Sequence, residues 1–151
     1  MKSTFGADIR PYVPAHDSER LLDIWLAASR VGHSFLSEDD LSAQMQLVRD
    51  VYLQKAENWV IAADGGPVGF IGLLDSFIGG LFIDPAFHGR GFGKTLILHA
   101  AQLKGALDVE LYAANRAAYR FYQRAGFEET GRLARDAEGR RHAVIRMHRP
   151  E

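Results

Sequence analysis

The chain contains no cysteine, which removes disulfides, thiolate metal sites and cysteine nucleophiles together. It has no excess of either charge: 18 lysines and arginines stand against 19 aspartates and glutamates, a net charge of −1. That balance argues against nucleic-acid binding driven by bulk charge. No stretch approaches the ~20 apolar residues of a membrane span. Met1 to Arg10 lack the apolar segment of a secretory leader. Repeats and low-complexity linkers are missing. His16, His99, His142 and His148 show no metal-ligand spacing with one another or with nearby acids. The expectation is a cytoplasmic protein with no metal, no membrane contact and no nucleic-acid partner.

What is present suits one compact unit. At 151 residues, 47% of them apolar and 25% charged, one domain over 1–151 is expected, because two cores would leave both halves too small. Ala7–Tyr12 reads as a short strand. Pro14 to Asp17 then introduces a helix whose Leu21, Leu22, Trp25 and Ala28 share a face, ending at Gly32. Ser37 followed by Glu38, Asp39 and Asp40 is a helix start, with acids at the positive end of the dipole. Leu41, Met45, Val48 and Tyr52 continue it at helical spacing.

The period then changes. Trp59–Ala63 and Val68–Leu74 form a hairpin about Asp64-Gly65-Gly66-Pro67, and Ile78–Ile83 is a further strand stopped by Asp84-Pro85. Gly91–Lys104 is a helix with Leu96, Ala100 and Leu103 on one side. Val109–Tyr112 is a short strand. Asn115 caps the next helix and Gly126 ends it. Phe127–Leu133 and Ala143–Arg149 are two last strands, joined through Asp136–Gly139. The order β-α-α-β-β-β-α-β-α-β-β is that of an α/β (α+β) sheet domain.

The segment that carries chemistry is Leu81-Phe82-Ile83-Asp84-Pro85-Ala86-Phe87-His88-Gly89-Arg90-Gly91-Phe92-Gly93-Lys94. A strand enters a turn of three alternating glycines and a helix leaves it. Glycine lets main-chain N–H groups converge, and a helix N-terminus favours anions. Arg90 and Lys94 add positive charge, so the turn reads as a pyrophosphate cradle. A P-loop needs glycine at position 88, which is His88. A dinucleotide fingerprint needs two residues between its second and third glycines, and here there is one. A turn that merely connects strand to helix is the remaining reading of these glycines alone.

A second motif, Asn115-Arg116-Ala117-Ala118-Tyr119-Arg120-Phe121-Tyr122-Gln123-Arg124-Ala125-Gly126-Phe127, narrows the choice. Taken with the glycine turn upstream, it resembles the GNAT superfamily of acyl-CoA N-acyltransferases. These carry a Gln/Arg-x-x-Gly-x-Gly/Ala turn and then an Asn-x-x-Ala-x-x-Phe/Leu-Tyr-x-x-x-Gly-Phe helix. The departure is His88, where the family has Gln or Arg.

The resemblance implies a mixed, mostly antiparallel sheet of six to seven strands with about four helices, splayed between the fourth and fifth strands. It implies acetyl-CoA as co-substrate. Main chain of Leu81, Phe82 and Ile83 would pair with the pantetheine arm, and a strand N–H there would polarise the thioester carbonyl. The amides of Gly89, Arg90, Gly91, Phe92, Gly93, Lys94 and Thr95 would hold the pyrophosphate, His88 would stand at the cofactor in the family's Gln/Arg position, and Asn115 would contact the arm. Tyr122 falls at the family's general-acid position. Glu110, twelve residues earlier, is the candidate general base, with an ordered water as the alternative. That spacing resembles GNAT enzymes that acetylate ribosomal-protein N-termini. His33 lies in the loop that lines the acceptor cleft of the fold, a candidate for substrate contact or for proton transfer, and Asp75 and Ser76 are further candidates there. The implied partner is an amine on a small molecule, peptide or protein, taken by a monomer or homodimer. A non-catalytic acyl-CoA sensor on the same fold is the alternative.

Overall fold

The computed structural model describes residues 7–151, so the reading of Met1 to Arg10 lies partly outside them. Seven strands form one sheet: β1 (Asp8–Pro11), β2 (Glu57–Ala63), β3 (Gly66–Leu74), β4 (Phe77–Ile83), β5 (Leu107–Tyr112), β6 (Glu128–Leu133) and β7 (Val144–Arg149). Their order is β1-β2-β3-β4-β5-β7-β6. Every neighbouring pair is antiparallel except β4 and β5, which are parallel. That pair registers at Phe77↔Asp108 and Ile78↔Val109 and then diverges. The implied split between the fourth and fifth strands is therefore present.

Helices cover both faces. Leu21, Ile24 and Trp25 of α1 (Pro14–Gly32) and Leu41 of α2 (Glu38–Leu47) pack on Val60 and Phe70. Leu96, Ile97 and Ala100 of α4 (Phe92–Lys104) and Tyr122 of α5 (Arg116–Arg124) pack on Ile61, Ile71 and Val109. Successive residues such as Val60 and Ile61 thus serve opposite faces, as strand alternation requires. Val68 to Leu73 are all buried, which explains why β3 reads as a continuous apolar run.

Local signals account for the helix ends. Ser37 Oγ accepts from the Asp40 N–H at 3.0 Å while Asp40 Oδ2 accepts from the Ser37 N–H at 3.3 Å. Asn115 Oδ1 accepts from the Ala118 N–H at 3.0 Å, and Gly126 ends α5 at φ +99°. A buried carboxylate joins β1 to α1: Arg10 forks onto both oxygens of Asp17 at 2.8 Å, and the Val13 N–H donates to one of them.

Two helix readings are corrected. The stripe Leu41, Met45, Val48, Tyr52 is not one continuous helix face. α2 ends at Leu47, Val48–Tyr52 is a π turn, and α3 (Leu53–Lys55) completes the segment. The wider turn rotates Tyr52 out, leaving it half-exposed at the cleft. On α4, Leu103 is exposed and Ile97 takes its place in the core, because Leu96, Ile97 and Ala100 form the stripe that meets the sheet.

Candidate active site

A cleft of about 1230 Å³ runs through the molecule where β4 and β5 part. Its walls include the β4 edge, the glycine turn, the start of α4, one side of α5, the end of β5, and the α1–α2 loop.

The β4 edge is specific about what it offers. The Asp84 N–H donates to Val68 O at 2.8 Å, so by antiparallel alternation Phe82 also bonds toward β3. The main-chain groups of Leu81 and Ile83 then point into the split. One is already engaged: His88 Nε2 donates to Ile83 O at 2.9 Å, which fixes the Nε2-protonated tautomer. The donors and acceptors open to the cleft are Leu81 N–H, Leu81 C=O and Ile83 N–H. Phe82 contributes its ring instead of its main chain, and His88 braces the strand end.

The turn is built as the glycines require. Gly89 and Gly91 hold φ of +77° and +83°. A methyl at either position would meet nothing within 4 Å, so backbone conformation and not crowding selects glycine. Gly93 differs: a methyl there would lie 3.0 Å from Phe121 Cζ, so this glycine lets α4 approach α5. The amide and hydroxyl of Thr95 both donate to Gly91 O, at 3.0 and 2.9 Å. The unengaged helix amides therefore end at Lys94. The Arg90 guanidinium lies 5.2 Å from the ring centroids of Phe87 and Phe92 and 3.4 Å from Asp64. Lys94 is exposed. An open strand edge leading to free amides and cations fits a ligand with an amide-bearing arm and a phosphate end.

Tyr122 is buried in the α5 face of the core and lines the cleft. Its phenol makes no side-chain hydrogen bond among the described residues, and burial pushes it up from its ordinary value. Its ring packs edge-on against Phe121 and Phe127. Glu110 also lines the cleft but faces the other side of β5, since Val109 and Leu111 share the core with Tyr122. One oxygen of Glu110 accepts from Arg146 Nε at 2.7 Å. Asn115 spends Oδ1 on its cap and keeps Nδ2 against Gly32.

His33 lines the cleft where the α1–α2 loop meets the end of β5. Its ring is edge-on to Tyr112 at 5.0 Å and Phe35 at 5.8 Å. Its Nδ1 is buried without a partner among the described residues. Burial lowers its pKa to about 4, so the ring is neutral at physiological pH. Asp75 and Ser76 do not line the cleft. Asp75 adopts φ +54° in the β3–β4 turn, and Ser76 O accepts from the Asp108 N–H.

Sequence reasoning missed the wall beside His33. Tyr112, the last residue of β5, donates to Asp136 Oδ2 at 2.9 Å and accepts from Gln44 at 3.3 Å. Arg140 pairs with Asp136, Glu138 and Asp40 at 2.8, 3.2 and 3.6 Å. This network ties the β6–β7 loop to α2 across the end of β5. The signal available was the Asp136–Gly139 turn, which reads only as a connection.

The likenesses agree with this geometry. Residues 54–129 match the model of the acetyltransferase (GNAT) domain. Peptidyl-lysine N-acetyltransferase YjaB of Salmonella typhimurium is 35% identical over 135 residues, covering 89% of this chain and 92% of that protein. Peptidyl-lysine N-acetyltransferase YiaC of Escherichia coli is 36% identical over 108 residues, 71% of this chain and 74% of that one. The solution structure of apo YjaB from Escherichia coli superposes with a TM-score of 0.86 at 31% identity, covering 94% and 96% of the two chains. The split sheet, the glycine turn and these relatives place the chain in the GNAT acetyltransferase family, as an N-acetyltransferase.

Proposed function

We propose that the chain moves the acetyl group of acetyl-CoA to a lysine side-chain amine of a peptide or protein, acting as one catalytic domain over 1–151. One observation carries this: an open β4 edge, a turn of free amides and a buried phenol without a partner meet in a single cleft. Two relatives named as peptidyl-lysine N-acetyltransferases support lysine as the acceptor class.

Bound acetyl-CoA supplies an activated thioester whose acyl carbon an uncharged amine attacks. The protein's own groups do the rest. Leu81 and Ile83 offer main-chain bonds to the amide-bearing arm, and an N–H of this edge is suited to the carbonyl oxygen. The turn amides from Gly89 to Lys94 hold phosphate.

Tyr122 stays protonated at neutral pH, since burial raises its pKa, and so it serves as a donor. A thiol has a reference pKa of about 8.5. Outright transfer from this phenol to the departing sulfur is therefore uphill. Tyr122 first donates a hydrogen bond there and completes the transfer as the amine loses its own proton.

A lysine amine, with a reference pKa of about 10.4, is mostly ammonium at neutral pH and needs a proton acceptor. His33, its ring packed edge-on against Tyr112 and Phe35, lines the acceptor path. Glu110, or a water held at its unpaired oxygen, takes the proton. A non-catalytic sensor has no use for the buried phenol, which disfavours that alternative.

The test is thiol release from acetyl-CoA across lysine peptides and small amines. Lysine peptides are expected to react. Tyr122→Phe is expected to lower kcat about 100-fold with acetyl-CoA affinity unchanged. Reaction of small amines alone would remove the lysine assignment. Full activity in Tyr122→Phe would remove its role as acid.

A further inference from the structure

The π turn Val48–Tyr52 carries a side chain that neither the core nor the chemistry above uses. Tyr52 is 46% exposed and lines the cleft. It joins neither of the two apolar clusters that hold the fold. Its hydroxyl has no hydrogen-bond partner, and its ring packs on no other ring, among the described residues. π turns recur at functional sites because they re-aim side chains that a regular helix would bury. A large ring held at the edge of a cleft without a contact of its own is available to a ligand.

What faces this ring is a carboxylate. Gln44, Val48 and Tyr52 follow one another at four-residue steps and all line the cleft. Gln44 donates to Tyr112, and Tyr112 donates to Asp136, so this side of the segment looks toward the β6–β7 loop. Glu138 of that loop lines the cleft too. Burial and, after it, the charge of Glu138 raise the Tyr52 phenol above its ordinary value, which marks the two groups as neighbours. Arg140 Nη2 donates to Glu138 Oε1 at 3.2 Å, while Oε2 has no partner among the described residues. Arg140 also serves Asp40 and Asp136, so one guanidinium is shared by three carboxylates and does not neutralise them.

A ring face beside a carboxylate suits a cation. The reacting amine is not that cation, because it must travel on to Tyr122, which is buried, whereas Tyr52 and Glu138 both reach solvent at the mouth. We infer that Tyr52 and Glu138 form a specificity clamp for a second basic side chain, one that flanks the target lysine in the acceptor. A guanidinium fits best, since it stacks on a ring and pairs with a carboxylate at once. The inference rests on the lysine reading above and narrows it to lysines in a basic stretch of chain. Neither residue touches the reacting atoms, so the clamp sets which acceptor binds and not how fast the bound one reacts.

Steady-state acetylation of three peptides tests this, the lysine being flanked by arginine, by alanine or by glutamate. In the wild type, kcat/KM is expected to be about fivefold higher with arginine than with alanine, and lowest with glutamate. The difference is expected in KM, with kcat unchanged. Tyr52→Leu and Glu138→Gln are each expected to remove most of the preference by raising KM for the arginine peptide alone. Tyr52→Phe keeps the ring and is expected to keep the preference. CoA affinity and melting temperature are expected to stay at the wild-type values in all three variants. Equal kcat/KM of the wild type for the arginine and alanine peptides overturns the clamp and leaves the lysine reading intact. So does a Tyr52→Leu variant that slows all three peptides alike. Reaction of none of the peptides, with CoA still bound, overturns the lysine reading and the clamp with it.

Discussion

Gly93 and Phe121 stand so close that a methyl group on the glycine would lie 3.0 Å from Cζ and 3.1 Å from Cε1 of the ring. One residue comes from the glycine turn, the other from the helix motif nearly thirty residues later. Their contact is where the two motifs become one site. Gly93→Ala is expected to push α5 away from α4, costing about 1–2 kcal/mol of stability. The same shift is expected to weaken CoA binding severalfold. Gly131→Ala is the control, because a methyl there meets nothing within 4 Å. Thermal unfolding and CoA titration of both variants check the pair.

That contact also shows how far the sequence reaches. Asn115 and Gly126 announce the two ends of α5, and Ser37 with Asp40 announces α2, because capping is local chemistry readable within four residues. The glycines at 89 and 91 signal a left-handed backbone. Gly93 looks the same in sequence but is there for a long-range contact. The π turn at Val48–Tyr52 escapes because its residues keep helical spacing. The acceptor wall escapes because His33, Tyr112 and Arg140 come from three distant segments and meet only across the fold. His88, out of place in the family pattern, acquires a reason only once Ile83 O is seen beside it.

Single substitutions separate the candidate proton acceptors. With His33 at about 4, its protonation lies far below the working range. The pH profile of kcat/KM is therefore expected to survive His33→Gln unchanged, while the acceptor KM rises. Glu110→Gln is expected to lower kcat with CoA affinity unchanged, read by steady-state kinetics. An unaltered kcat in Glu110→Gln assigns the proton to water alone.

Arg140 offers a test of the acceptor wall. Its side chain is 20% exposed and joins Asp40 of α2 to Asp136 and Glu138 of the β6–β7 loop. Arg140→Ala is expected to raise the KM for a lysine peptide about tenfold, with CoA affinity unchanged, since the phosphate turn lies on other elements. Arg140→Lys keeps the charge but loses the fork, and is expected to recover only part of the loss. Steady-state kinetics with both substrates varied distinguish the two terms.

Acid is expected to weaken the fold in two windows. His33 is buried neutral, with a folded pKa lowered to about 4 from 6.5. Its contribution is complete above about 6.5 and is lost as pH falls toward 4, on the order of 3 kcal/mol in full. Asp17, fully buried and held ionised by the Arg10 fork, lies below its ordinary value of 3.8. Its contribution is complete above that value and is lost as pH falls further. Denaturant unfolding from pH 7 to 3 is expected to show the first loss in the wild type and not in His33→Phe. Asp17→Asn is expected to cost about 1–2 kcal/mol already at pH 7, by breaking the fork with Arg10, whose part-exposed guanidinium regains water.

β4 and β5 share a register of just two residue pairs, Phe77↔Asp108 and Ile78↔Val109. Mechanically, that makes the sheet a pair of panels on a short hinge, with β1–β4 on one side and β5–β7 on the other. One buried core still joins them, with Ile71 and Ile78 on one side and Val109 and Met147 on the other. A molecule seated in the seam touches both panels like a rivet, so its binding is expected to stiffen the fold as well as to fill the cleft.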